Sequence, residues 1–156
     1  NPAAETVVRN SPQAALFSCS QKISSLLPFA AWIERHSAEQ YRRPRSALLV
    51  AAVGNPGRFE QDVRRLGIEV TGTRFFPDHY RLTPEEWQSC ADEARRRNAG
   101  AVLTTEKDAI KIAHSPDFPL VVAVQSTAMA NAAAFDAMLE NCVEKRLSEL
   151  AENSGN

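Results

Sequence analysis

The run Ala47-Leu48-Leu49-Val50-Ala51-Ala52-Val53, apolar without a break and closed by Gly54-Asn55-Pro56, constrains the fold more than any other segment. A strand with one solvated face alternates polar and apolar side chains, whereas an unbroken apolar run bounded by turn residues fits a parallel strand buried on both faces. Asn55 suits the cap of a following helix, and Pro56 suits its first turn. Phe59, Val63 and Leu66 then recur at helical spacing, and Gly67 supplies a left-handed stop. The segment is therefore expected to form strand, tight turn and amphipathic helix.

The same unit recurs downstream. Ile68 to Phe76, rich in β-branched and aromatic residues, predicts a second strand that ends at Pro77-Asp78-His79-Tyr80. Thr83-Pro84-Glu85-Glu86 has threonine at N-cap, proline at N1 and glutamate at N3, the pattern of a capping box. Trp87, Cys90, Ala91 and Ala94 follow at helical spacing, and Asn98 with Gly100 closes that helix. Ala101 to Thr105 predicts a third strand, followed at once by Glu106-Lys107-Asp108, and Leu120 to Val124 a fourth. Phe135, Met138, Leu139, Cys142 and Leu150 trace the stripe of a closing helix, expected to face the core.

Alternating buried strands and helices imply an α/β fold: a mostly parallel sheet with flanking helices, in a Rossmann-like three-layer α/β/α arrangement joined by right-handed crossovers. A chain of 156 residues with 44% hydrophobic and 24% charged content suits one such domain. We expect it over residues 46–150, with 1–45 a connecting segment from an N-terminal domain outside this sequence and 151–156 a disordered tail. The start at Asn1 rather than methionine adds to the expectation of a longer parent protein.

Composition excludes several function classes. With 18 basic against 19 acidic residues the net charge is -1, which gives no general attraction to nucleic acid. The best basic cluster, Arg95-Arg96-Arg97, falls in the last turn of a predicted helix, where it complements the helix dipole. Arg42, Arg43 and Arg45 are expected to be a solvated run. Cys19, Cys90 and Cys142 are odd in number and outside any CxxC pattern, so they suggest neither a disulfide framework nor a zinc site; each is expected to be a small buried hydrophobe. No apolar run approaches the roughly 20 residues that span a bilayer.

Ligands of open parallel sheets sit beyond the carboxyl ends of the strands. Three polar stretches follow predicted strand ends: Gly54-Asn55, Asp78-His79 and Glu106-Lys107-Asp108. Their convergence on one edge is the physical reason to expect a site there.

Three segments, VAAVGNPGRF at 50–59, FFPDHYRLTPEE at 75–86 and TTEKDAIK at 104–111, resemble in order and approximate spacing the C-terminal half of the tetraacyldisaccharide 4'-kinases. The resemblance implies transfer of the γ-phosphate of ATP, with Mg²⁺, to the 4'-hydroxyl of a lipid A disaccharide precursor. It further implies a partner N-terminal P-loop domain that binds most of the ATP and metal, and a place on the cytosolic face of the inner membrane of Gram-negative bacteria. No G-x-x-x-x-G-K-[ST] cradle occurs in these residues, so the chain alone is expected not to turn over ATP.

The resemblance places His79 where the family has a histidine thought to act with an aspartate of the other domain on the acceptor hydroxyl. An imidazole, with an ordinary pKa near ~6.5, suits that task at neutral pH. Asp78 either orients His79 or bonds the N–H groups of a turn. Where the family often has a second histidine stands Tyr80, which can donate a hydrogen bond or stack on a sugar but cannot share proton transfer near neutrality. Lys107 either meets an anionic phosphate or joins a surface ion-pair cluster, with Asp108 capping the next short helix. Asn55 makes the strand-to-helix turn, and the N–H groups beside it are positioned to hold an anion. Thr104 reads as a strand former, and His36 and His114 as surface residues. The competing reading is a free-standing, non-catalytic α/β binding or regulatory module; a receiver-like version is weakened by Gly54-Asn55 where an acidic pair would be needed.

Overall fold

The computed structural model describes residues 2–11, 14–35 and 41–154. In chain order the elements are α1 (Pro2–Asn10), β1 (Cys19–Pro28), α2 (Phe29–Ile33), β2 (Ser46–Ala51), α3 (Pro56–Arg65), β3 (Glu69–Phe75), α4 (Pro84–Arg96), β4 (Ala101–Thr105), α5 (Glu106–Ala109), β5 (Leu120–Met129) and α6 (Ala132–Ser154). The chain divides into two compact units, Lys22–Ser126 and Asn1–Gln21 with Thr127–Asn156.

The five strands form one sheet in the order β1-β5-β4-β2-β3, and the pairings β2 with β3, β2 with β4 and β4 with β5 are parallel. From β2 the chain passes through α3 to the edge strand β3, then returns past β2 through α4 to β4. Right-handed crossovers in opposite directions put their helices on opposite faces, and the packing agrees. Phe59 and Val63 of α3 share a core with Ala47, Leu49 and Ala51, while Trp87, Cys90 and Ala94 of α4 share another with Leu48 and Val50. Residues 47–52 are all fully buried, as the unbroken apolar run requires. The reversal in strand order puts a switch point between the carboxyl ends of β2 and β4, where ligands of such sheets bind.

Local signals account for the joints. Asn55 caps α3 by accepting from the Arg58 N–H at 3.1 Å, and Gly67 takes φ 78° just past that helix. The capping box is complete: Thr83 Oγ1 accepts from the Glu86 N–H at 3.3 Å, and Glu86 Oε2 accepts from the Thr83 N–H at 2.8 Å. Asn98, at φ 53°, turns the chain out of α4.

Several expectations need correction. Residues 1–45 are expected to be a connecting segment, and α1, β1 and α2 lie among them. Within β1 the buried residues are Ile23 and Leu26, three apart rather than two, so no period-2 signal marks the strand. The stripe on α6 does not form core: Leu139 and Leu150 are 45% and 47% exposed, and Cys142 is exposed. That helix belongs to the smaller unit, in which Phe135 meets Phe17 edge-on with ring centroids 5.1 Å apart. Of the three free cysteines only Cys90 is buried, because Cys19 and Cys142 stand on uncovered faces of β1 and α6. Arg42, Arg43, Arg45 and His114 are exposed, as expected, while His36 lies outside the described residues.

Candidate functional site

The three polar stretches meet at the carboxyl ends of β2, β3 and β4. Lys107 Nζ donates to Asp78 Oδ1 at 2.5 Å, which ties the residues after β4 to those after β3. A side chain on Gly54, just after β2, would stand 3.5 Å from Asp78 Oδ2, so the Asp78 loop lies against the β2 turn as well.

Residues 105–108 form the centre of this junction, each side chain bound to a different part of the fold. Thr105, not Asp108, caps α5: its Oγ1 accepts from the Asp108 N–H at 3.3 Å. Glu106 accepts from Trp32 Nε1 at 3.1 Å and from the Gln125 N–H at 3.0 Å, which links α2 to β5. Lys107 reaches Asp78. Asp108 turns inward and is only 2% exposed. A buried carboxylate is costly unless its oxygens are filled, and these are: Oδ2 accepts from the Ala52 N–H and from Thr105 Oγ1, both at 2.9 Å, and Oδ1 accepts from Lys111 Nζ at 3.0 Å. Asp108 thus joins the ends of the two strands that flank the switch point.

His79 sits at the open side of the cluster with its side chain 80% exposed and its backbone at φ 65°. Its N–H donates to Asp78 Oδ1 at 3.0 Å, and Nε2 lies 3.7 Å from Asp78 Oδ2. The Lys107 hydrogen bond, helped by the charges of His79 and Lys107, holds the Asp78 carboxyl below its ordinary 3.8 against a smaller opposing effect of desolvation. Tyr80 stacks on Phe76 at 5.3 Å, and its hydroxyl donates to Glu86 Oε1 at 2.8 Å, which pushes the phenol's pKa up. Asn55 stands beside Gly54 with its side-chain oxygen engaged by the α3 cap. Asp78, His79, Tyr80 and Lys107 are therefore one cluster, and Asn55 borders it through Gly54.

Asp108 is expected to cap the next short helix and instead joins two strand ends, and Lys111, given no separate role in the sequence, also donates from Nζ to the Tyr80 carbonyl at 3.3 Å. The usable signal was Thr105-x-x-Asp108 directly after a fully buried strand, a cap pattern whose acidic member has nowhere to point but inward. Thr104, fully buried on β4, has an Oγ1 without a hydrogen-bond partner among the described residues and behaves as a strand former. A cleft of about 620 Å³ lies on the other side of α5, lined by Phe29, Trp32, Ile33, Glu106 and Ile110.

A doubly wound α/β unit with a histidine-bearing polar cluster at its strand ends is the class that this geometry defines. A family model described as Tetraacyldisaccharide-1-P 4'-kinase matches residues 3–144, and the chain belongs to that family. It is similar to the tetraacyldisaccharide 4'-kinases of Brucella ovis, 42% identical over 72 residues, and of Brucella canis, 40% identical over the same length. Each match covers 46% of this chain and 21% of the relative, so the similarity spans about a fifth of those proteins. A crystal structure of Aquifex aeolicus LpxK in complex with ATP is also similar, at 19% identity and TM-score 0.47, over 86% of this chain and 40% of the other.

Proposed function

We propose that this chain forms the acceptor-facing part of a tetraacyldisaccharide 4'-kinase, which phosphorylates the 4'-hydroxyl of the lipid A disaccharide precursor. The single observation that carries this reading is the exposed His79 imidazole at the strand ends, beside an Asp78 carboxylate that accepts from the His79 N–H and from Lys107. An alcohol is a weak nucleophile, and an imidazole beside it can take its proton as the oxygen attacks phosphorus. In this reading the His79 imidazole accepts that proton, and the Asp78 carboxylate, 3.7 Å from Nε2, favours the resulting imidazolium. Lys107 spends one of its three donors on Asp78 and offers the others to an anionic oxygen of the substrate, while Tyr80 presents a ring edge to a sugar. Asn55 and the turn beside it border the same opening.

ATP and Mg²⁺ belong to the family's reaction, but the cluster does not suit the metal. Both Asp108 oxygens are filled, Asp78 is paired with a lysine, and no group of three His, Cys, Asp or Glu among the described residues is arranged to hold a metal. We place ATP and Mg²⁺ on a P-loop domain outside these residues and expect the 156-residue chain to be inactive alone. Contact with the inner membrane likewise belongs to the complete enzyme; no described helix is long and apolar enough to cross one.

The test is His79→Ala in a complete kinase carrying this sequence, with phosphate transfer to the acylated disaccharide as readout. Turnover should fall about 10²- to 10⁴-fold, the usual worth of a general base, with folding unchanged. Wild-type turnover would remove His79 from the mechanism.

A further inference from the structure

The His79 loop is held from both sides by two lysines of one short segment, at the Asp78 carboxylate and at the Tyr80 backbone carbonyl. Lys107 reaches Asp78 and Lys111 reaches the Tyr80 carbonyl, so the two contacts fall on the residues either side of His79. The spacing explains how: positions i and i+4 fall on one face of a helical turn, and the chain continues that turn beyond α5 through the Ile110 N–H to Glu106 carbonyl bond at 3.1 Å.

The base of this arrangement is immobile. Lys111 Nζ also donates to Asp108 Oδ1, and the other oxygen of Asp108 is fixed by the Ala52 N–H at the end of β2 and by the Thr105 hydroxyl at the end of β4. The loop, by contrast, needs holding. His79 takes a left-handed backbone conformation that L-residues avoid, and its mostly exposed side chain gives it little packing of its own. Its N–H shares Asp78 Oδ1 with Lys107, so the bond that stabilises the strained residue depends on the carboxylate that the lysine fixes. Burying an ion pair such as Asp108 with Lys111 is weak evidence of a stability role, since a packed apolar pair does as well. A fixed geometry at the loop accounts for it better.

We propose that Lys107 and Lys111, the second anchored by buried Asp108, are positioning residues that clamp the loop presenting His79. The clamp exists whether or not the chain serves a kinase; its value to catalysis rests on the reading given above.

The experiment uses Lys107→Met, Lys111→Met, the double variant and the rescue pair Lys107→Arg and Lys111→Arg in the 156-residue chain. Lys107 and its partner Asp78 are both partly exposed, at 41% and 43%, so Lys107→Met should unfold at nearly the wild-type temperature, whereas Lys111→Met leaves buried Asp108 without its cation and should unfold at a lower temperature while remaining folded. Amide hydrogen exchange at His79 and Tyr80, read by NMR, should speed up about two- to fivefold in each single variant, the effect of one partly exposed ion pair, and more in the double. The β2 and β4 amides should keep wild-type protection in Lys107→Met and, in the variants that remove Lys111, should speed up less than those of the His79 loop. Lys107→Met should also move the Asp78 carboxyl titration up toward the ordinary range, and Lys107→Arg should hold it down. Unchanged exchange at His79 in the double variant would overturn the clamp, as would equal acceleration throughout the sheet. Because no substrate or nucleotide enters the experiment, it fails or succeeds independently of the kinase assay on His79→Ala.

Discussion

Replacing Asp108 with alanine removes three hydrogen bonds from a side chain that is 2% exposed. The Ala52 N–H is left buried without an acceptor, at a cost of about 1–3 kcal/mol. The Thr105 hydroxyl loses one bond but can rotate, for about 0.5–1.5 kcal/mol. Lys111, 23% exposed, can turn to water, so its ion pair contributes only about 0–1 kcal/mol. A total of about 1.5–5.5 kcal/mol brackets the loss of about 3–5 kcal/mol typical when one partner of a buried pair is removed. Asp108→Asn keeps an oxygen for the Ala52 N–H and should cost only about 1–2 kcal/mol. Urea unfolding of the 156-residue chain checks both, provided that the slope of free energy against denaturant is common to the variants. An alanine variant within about 0.5 kcal/mol of wild type, the range of ordinary surface changes, would refute the reasoning. So would an asparagine variant as unstable as the alanine one, because the cost would then lie in the charge and not in the orphaned N–H.

Four further outcomes follow from the same structure. Thr104→Val, nearly isosteric, removes a buried hydroxyl without a partner and should leave stability unchanged or raise it by about 1 kcal/mol; a loss above that size in urea unfolding would mean that the hydroxyl is bonded. Burial lifts the Cys90 thiol to about 11, so alkylation at pH 8 followed by mass spectrometry should label Cys19 and Cys142 and spare Cys90 until the chain unfolds. Because the unfolded thiol ionises first, stability should also decline as pH rises from 9.0 toward about 11. The Asp78 carboxyl is held below 3.8, so its contribution to loop order is present above that pH and is lost as pH falls through the lowered value; NMR amide exchange at His79 that rises already near neutrality would contradict this.

Much of the sheet was legible because its signals are local. The apolar run at 47–53 marked β2, and the Asn55-Pro56 and Thr83-Pro84-Glu85-Glu86 patterns marked the starts of α3 and α4. β1 was hidden because its two buried residues are three apart, and the stripe on α6 looked like core because periodicity reports a face and not what covers it. The site was half legible. Polar residues after strand ends pointed to one rim, and Lys107 does meet Asp78 there. What Lys107 and Lys111 reach, 29 and 31 residues back along the chain, is fixed only by the sheet order that brings β3 and β4 to flank β2. Asp108 reads as a helix cap for the same reason: its partner Ala52 lies 56 residues away.

The central claim is that the rim carrying Asp78, His79, Tyr80 and Lys107 faces an acylated disaccharide. The most direct measurement is a titration of the 156-residue chain with a detergent-soluble acylated disaccharide 1-phosphate, followed through its backbone amide NMR signals. Saturable shifts at residues 54–55, 78–80 and 107, with ATP alone leaving them in place, are the expected result. Shifts confined to other surfaces, or none at concentrations where the complete kinase is saturated, would contradict it.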